Sequence, residues 1–435
     1  MRYNSLLASW GSSGNLNPLL TAGRQLRRKR HHVRVMADPA MRGEVEAADF
    51  EFVTWRRAPL GNAADPTDFS DLMDWTRRAI FDPAAAYAAD IRDEIGRAPT
   101  DAVLSLDMLF GAVLGAEASG VPLAMLSPHI SIRPLPGMPP AGSGLAQPKT
   151  PEERAQIAAA SARLTEILNG FLPQFNQARA DLGLAALADV TDLFDRADRV
   201  LLAISRAFDF QADSLPANVR YVGPLLDVPG WSKPWWAPWT AQSMRPRVLV
   251  ACSTGAQGQR DLVQRIISAM AMVEVDVVAT AGPNLDIAEL RAPDNVHLVH
   301  SAPHDVVMQD VSLVITQGGH GTVNRALING LPQLILPNGR DQVDNAERVK
   351  AKGAGLRLPV TAPEADIAAA VKRLIREPHF RAAARRLGDA ISADIDALAV
   401  VHEMETIVAE RRETGAPRSR RIGVPRTVSP APRRA

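Results

Sequence analysis

The sequence predicts an α/β protein built from two parallel sheets with a cleft between them. Three observations carry this expectation. Over residues 5–126, short apolar runs alternate with helical stretches, the βαβα order that yields a parallel sheet covered on both faces. The same alternation restarts at Arg247 and runs through Ile375. Between the two lies Val228-Pro229-Gly230-Trp231-Ser232-Lys233-Pro234-Trp235-Trp236-Ala237-Pro238-Trp239, which cannot be a regular helix and holds four of the seven tryptophans. It reads as a linker.

The elements come in order along the chain. Residues 5–8 form a strand, 17–28 a helix and 32–36 the next strand. Asp101-Ala102-Val103-Leu104-Ser105-Leu106 is another strand, followed by a helix near 110–118 and a strand over 121–126. Pro134, Pro136, Pro139 and Pro140 make residues 131–150 a loop. Pro151-Glu152-Glu153 then opens a long amphipathic stretch reaching about Leu182. The linker tryptophans read as an anchor buried against one domain; an aromatic wall near the cleft is the alternative. The second unit opens with a strand at 247–251. The final stretch, 410–435, is rich in arginine and interrupted by proline, and is expected to be a disordered, solvated tail. The resulting division is 1–225, a linker at 226–245, 246–409 and the basic tail.

Composition narrows the class. The chain has 435 residues, 46% hydrophobic and 22% charged, as in ordinary globular proteins of two or three domains. The net charge of +1 gives no global field for nucleic acid. The single cysteine, Cys252, rules out an internal disulfide framework and fits a reducing, cytoplasmic setting; it reads as small buried filler in an apolar run. No secretory signal and no run of about 18 apolar residues is evident.

One segment carries the chemistry. Val314-Ile315-Thr316-Gln317-Gly318-Gly319-His320-Gly321-Thr322-Val323 is a strand entering a glycine turn and then a helix. Free N–H groups and the helix dipole favour an anion there, and the glycines let it approach. The pattern is neither Gly-x-Gly-x-x-Gly nor a P-loop, so a dinucleotide or ATP cradle is not indicated. Gly330-Leu331-Pro332-Gln333-Leu334-Ile335-Leu336-Pro337 reads as a turn and buried strand. Asn338-Gly339-Arg340-Asp341-Gln342-Val343-Asp344-Asn345-Ala346 is then a polar loop entering a helix. A phosphate-type turn beside a carboxylate–amide pair, both at strand carboxyl ends, suits a sugar joined to a diphosphate.

From Ser301-Ala302-Pro303-His304 through Asp341-Gln342 to Gly353-Ala354-Gly355, the chain resembles family 1 glycosyltransferases of the GT-B fold, which glycosylate antibiotics, macrolides and lipids. Gly14-Asn15-Leu16-Asn17-Pro18-Leu19-Leu20 resembles the family's first loop and helix, and Tyr221-Val222-Gly223-Pro224-Leu225 the end of its first domain. The resemblance implies two Rossmann-like domains facing one another. The first would hold the acceptor and the second the donor, with the last helix packing back towards the first domain. It implies inverting transfer from a nucleoside-diphosphate sugar to an apolar small molecule or lipid, by a monomer or homodimer. The nucleotide sugar is a co-substrate; no tightly bound cofactor is implied, and the sequence requires no metal. On the donor side it assigns Thr254, Gln317, Gly318, Gly319, His320, Gly321 and Thr322 to the diphosphate, and Asp341 and Gln342 to the sugar hydroxyls. Asp107 matches the aspartate that orients the family's general base; helix capping is its alternative role. His129, in Ser127-Pro128-His129, is a candidate on the acceptor side.

Three departures accompany these matches. Gln317 stands where many members have histidine, which removes a positive charge and about 1–2 kcal/mol of charge-assisted bonding. Arg325 stands where enzymes using uridine diphosphate often hold the ribose with glutamate; it cannot accept a hydrogen bond, which favours a deoxyribose (dTDP) donor over UDP. Ser301 occupies the place of a large base-stacking residue. The mechanistic departure is Asn15 in the general-base slot, because a neutral amide is not a base at ordinary pH. Asp107 acting directly or through water, an acceptor needing little deprotonation, or His129 as substitute base would each accommodate it. A catalytically silent binding protein is the competing class, and a nucleotide-sugar epimerase a third.

Overall fold

The computed structural model describes residues 2–11, 13–59, 69–226, 235–239, 243–251, 260–282 and 285–414. Cys252 and Thr254 lie outside the described residues, as does Trp231.

The first sheet holds seven strands: β1 (Asn4–Ala8), β2 (His32–Ala37), β3 (Glu51–Thr54), β4 (Ala102–Leu106), β5 (Leu123–Ser127), β6 (Arg199–Leu202) and β7 (Val219–Tyr221). Their order is β3-β2-β1-β4-β5-β6-β7, and every pairing is parallel. The second sheet holds β8 (Arg247–Ala251), β9 (Asp276–Thr280), β10 (Val296–Val299), β11 (Leu313–Thr316), β12 (Gln333–Ile335) and β13 (Gly355–Arg357), in the order β10-β9-β8-β11-β12-β13 and again all parallel. The central strands β4, β5 and β11 are buried at every position, which is why they read as apolar runs rather than as alternating patterns. Strand order reverses between β1 and β4 in one sheet and between β8 and β11 in the other. Ligand crevices of doubly wound sheets open at such switch points, beyond the strand carboxyl ends.

The helices that frame the site or join the lobes are α1 (Ser13–Arg28), α2 (Phe110–Ser119), α3 (Pro151–Asn169), α4 (Leu172–Asp181), α5 (His304–Asp310), α6 (His320–Ile328), α7 (Gln342–Ala351), α8 (Pro378–Asp396) and α9 (Ala399–Thr414). The amphipathic stretch of 151–182 is two helices, α3 and α4, broken around Gly170. Thr150 and Glu153 form a reciprocal capping box at the start of α3. α8 lies so close on α6 that a side chain at Gly388 would meet the Leu327 carbonyl oxygen. α9 crosses back to pack against α1, β4 and β6 of the first sheet.

The tail expected from Glu410 begins no earlier than residue 415. α9 continues to Thr414 because its polar face finds partners on the first lobe. Arg199 pairs with Glu403 at 2.7 Å and Glu410 at 2.9 Å, and Arg412 with Asp101 at 2.9 Å. Residues 415–435 lie outside the described residues.

One apolar cluster runs from the first sheet through α9 into Val323, Leu327, Ile335, Val349 and Ile391 of the second lobe. Two smaller clusters cover the two faces of the second sheet. Trp235 and Trp239 pack against one of them, whereas Trp236 is 79% exposed. The described part of the linker is thus anchored on the second lobe by two of its tryptophans.

Candidate functional site

On the first lobe, Asp107 follows β4 directly and is 1% exposed. It does not cap α2, whose N-cap is Leu109. Ser127, the last residue of β5, donates its hydroxyl to Asp107 Oδ2 at 2.5 Å. His129, two residues on, brings Nε2 to 3.5 Å from Asp107 Oδ1, and its Nδ1 lies 2.8 Å from the Ile130 carbonyl oxygen. Burial is the strongest single influence and pulls the His129 pKa down, but the Asp107 carboxylate, the Ile130 carbonyl and the Asp341 charge together outweigh it and hold the pKa up at about 9. The ring is therefore an imidazolium at neutral pH, with one N–H donated to Ile130 and the other facing Asp107. A protonated ring in this arrangement has no lone pair to offer an acceptor, so His129 would serve as a base only from its neutral form. Asn15 sits in the first turn of α1, with its Nδ2 donating to the Trp10 carbonyl at 3.3 Å. It ties down the first loop and presents no titratable group.

On the second lobe, β11 ends at Thr316 and α6 begins at His320. Gly318 makes the turn at φ +100°, a region closed to most side chains, and a Cβ there would come within 2.8 Å of Ile335. Gly319 is the N-cap of α6, and a Cβ on it would meet nothing within 4 Å. Space therefore lies in front of the first helical turn, whose leading N–H groups have no partner within the helix. Gly321 and Thr322 fall in that first turn. Gln317 is buried with its Oε1 unpartnered.

Asp341 occupies the N-cap position of α7, but its side chain makes no capping hydrogen bond. Instead Asn345, one helical turn on, donates Nδ2 to both Asp341 Oδ2 and the Gly318 carbonyl, each at 2.9 Å. The phosphate-type turn and the sugar-type carboxylate are thus fastened to one buried amide. Gln342 Oε1 accepts from the Asn338 amide at 2.9 Å, which shapes the loop after β12. Neither Asn345 nor Ser127 was evident as a site residue from the sequence. The Asp341/Asn345 spacing of four was the available signal, because it places both side chains on one helix face.

The two lobes meet here. His320, which could have been a surface histidine, sends Nε2 to 3.1 Å from the Ala203 carbonyl beyond β6. The Asp341 charge acts on both His129 of the first lobe and His320 of the second. Around the site, Asp344 is buried and accepts from the Gly142 and Gly144 amides at 2.6 and 2.8 Å. The proline-rich loop of 131–150 is thereby held against α7. Arg348 pairs with Asp209 at 2.7 Å, both buried, and the Tyr221 hydroxyl donates to Asp209 at 2.9 Å. Arg325 is engaged by Asp305 of α5 at 2.7 Å. Ser301 is exposed. Among the described residues no group of three His, Cys, Asp or Glu side chains could hold a metal ion, and no helix is long and apolar enough to cross a membrane.

Comparison with known proteins gives a consistent set of likenesses. Residues 264–407 match the family described as "Erythromycin biosynthesis protein CIII-like, C-terminal domain". The chain is 28% identical over 418 residues to 4'-demethylrebeccamycin synthase of Lentzea aerocolonigenes, covering 89% of this chain and 95% of that protein. The crystal structure of the glycotransferase of kitacinnamycin superposes with a TM-score of 0.76 at 22% identity, covering 93% of this chain and 99% of the other. A spinosyn rhamnosyltransferase complexed with thymidine diphosphate gives a TM-score of 0.67 at 20% identity, covering 93% and 100%. At these identities the superpositions establish the fold, two parallel-sheet Rossmann-like domains in the GT-B arrangement.

Proposed function

We infer that this chain, a glycosyltransferase of the natural-product class on the GT-B fold, moves a hexose or deoxyhexose from a nucleoside-diphosphate sugar to an apolar small-molecule acceptor, with inversion. One observation carries the reading. The anion-ready turn before α6 and the Asp341 carboxylate are joined by Asn345, and the Asp341 charge reaches His129 on the opposite lobe, which itself pairs with Asp107.

The roles follow from the chemistry of each group. The amides of Gly319, His320, Gly321 and Thr322, with the α6 dipole, carry the diphosphate charge, so transfer requires no metal. Asp341 and Gln342 bind the sugar hydroxyls. As the acceptor oxygen bonds to the anomeric carbon, the bond to the diphosphate breaks and the acceptor proton passes to Asp107, directly or through water. Ser127 and His129 hold that carboxylate in place, and His129 balances its charge. Thr254 is proposed to join the donor site. Arg325, committed to Asp305, cannot accept from a ribose hydroxyl, which favours a deoxyribose nucleotide. That preference is supported by the thymidine diphosphate in the similar rhamnosyltransferase. A lone cysteine fits a cytoplasmic setting.

The test is purified protein with dTDP- and UDP-sugars and a panel of apolar acceptors. Release of nucleoside diphosphate together with a glycoside is expected, faster from the dTDP donor. Tight nucleotide binding with no product across a broad panel would replace this reading with a silent homologue. Sugar conversion without acceptor would replace it with an epimerase.

A further inference from the structure

His320 is the first residue of α6, where the helix dipole disfavours a cation. Its Nε2 faces the Ala203 carbonyl at 3.1 Å, and a carbonyl only accepts, so Nε2 carries a proton. In the neutral ring Nδ1 is then a bare acceptor. Both Nδ1 and Asn345 Oδ1 are buried without a partner. Asn345 cannot resolve this by turning over, because its Nδ2 already serves two acceptors, the Gly318 carbonyl and Asp341 Oδ2. A single proton on His320 Nδ1 would supply the missing donor between these two poles.

The surroundings decide when that proton is present. Burial pulls the His320 pKa down most strongly and the His129 cation of the opposite lobe adds to this, while Asp341, the hydrogen bond to Ala203 and the neighbouring Asn345 side chain, ready to accept from a protonated ring, push it up. The free protein therefore holds a neutral ring at ordinary pH. A diphosphate against the first turn of α6 reverses the local potential, since it brings negative charge to the place where the dipole had repelled a cation.

We propose that His320 takes up a proton from solvent when a diphosphate settles at the α6 N-terminus, and that the resulting imidazolium supplies the positive charge that Gln317 cannot. This rests on the nucleotide-sugar reading of the site. It assigns the leaving-group cation to the helix rather than to the strand end. By linkage, a pKa that rises on binding makes binding tighter as pH falls between the free and bound values, by up to about tenfold per pH unit.

The experiment is isothermal titration calorimetry of dTDP-glucose into the full chain near neutral pH, in two buffers of different ionisation enthalpy. This ligand is chosen because its bridging diphosphate has no ionisation of its own in that range. The expected result is uptake of up to about one proton per ligand, absent in His320→Gln. Binding with no proton uptake overturns the proposal and leaves the transferase reading standing; no binding at all removes both. Uptake that persists in His320→Gln also overturns it. The rivals among the described residues are the Asp341 carboxylate, tied to the same Asn345, and His304, a buried ring pulled down to about 4 by burial and by Arg325, with Nε2 3.2 Å from Thr280 Oγ1. Should His320→Gln not fold, His304→Gln and Asp341→Asn decide together: uptake retained in both supports His320, and uptake lost in either contradicts it.

Discussion

On the proposed reading Asp107 is the residue on which the chemistry turns, because the first-loop position offers only the Asn15 amide. Asp107→Asn keeps the shape of the side chain and removes its basicity; kcat should fall about 10²–10⁴-fold, the usual worth of general-base catalysis. Unchanged turnover would take Asp107 out of the mechanism. His129 gives the complementary prediction. Its raised pKa means that the cation is present at neutral pH and is lost as pH rises through about 9. The pH profile of kcat should therefore decline near pH 9, and His129→Gln should abolish that limb; a rate that instead climbs through this range would make His129 the base. Asp107 was legible in the sequence because it ends an apolar strand. The role of His129 was not, because it depends on which ring nitrogen meets Asp107 and which meets Ile130, and spacing does not encode that.

The element proposed to bind the diphosphate is the β11–turn–α6 unit, and its geometry depends on Gly318. A residue with a side chain would have to adopt φ +100° and press its Cβ to 2.8 Å from Ile335. Gly318→Ala should cost about 2 kcal/mol of stability, read as a lower denaturant midpoint with unchanged slope. An unchanged midpoint would show that the turn can relax. This unit was legible because apolar run, glycines and helix succeed one another directly in the chain. α9 was legible only in part. Its arginines suggested a solvated tail, yet Arg412 and Glu410 meet Asp101 and Arg199, partners some 200 to 300 positions away in sequence. Charge composition is local, whereas the pairing that orders a helix end is not.

At the scale of the molecule, two alternating βα runs around a tryptophan-rich segment were enough to foresee two parallel sheets. How the lobes grip each other was hidden. The buried Arg348–Asp209 pair is covered by the Phe210 ring, which lies 4.4 Å from the guanidinium. Asp344 is clasped by two amides of the proline-rich loop. Both contacts join segments that nothing in their spacing relates. This grip, with His320 on the Ala203 carbonyl, brings the turn before α6 against the first lobe, and transfer by the proposed route requires a diphosphate lodged there. The most direct test is a crystal structure of the protein with dTDP. The account predicts phosphate oxygens within about 3 Å of the Gly319–Thr322 amides. A nucleotide bound elsewhere, with that turn in contact only with solvent, would contradict it.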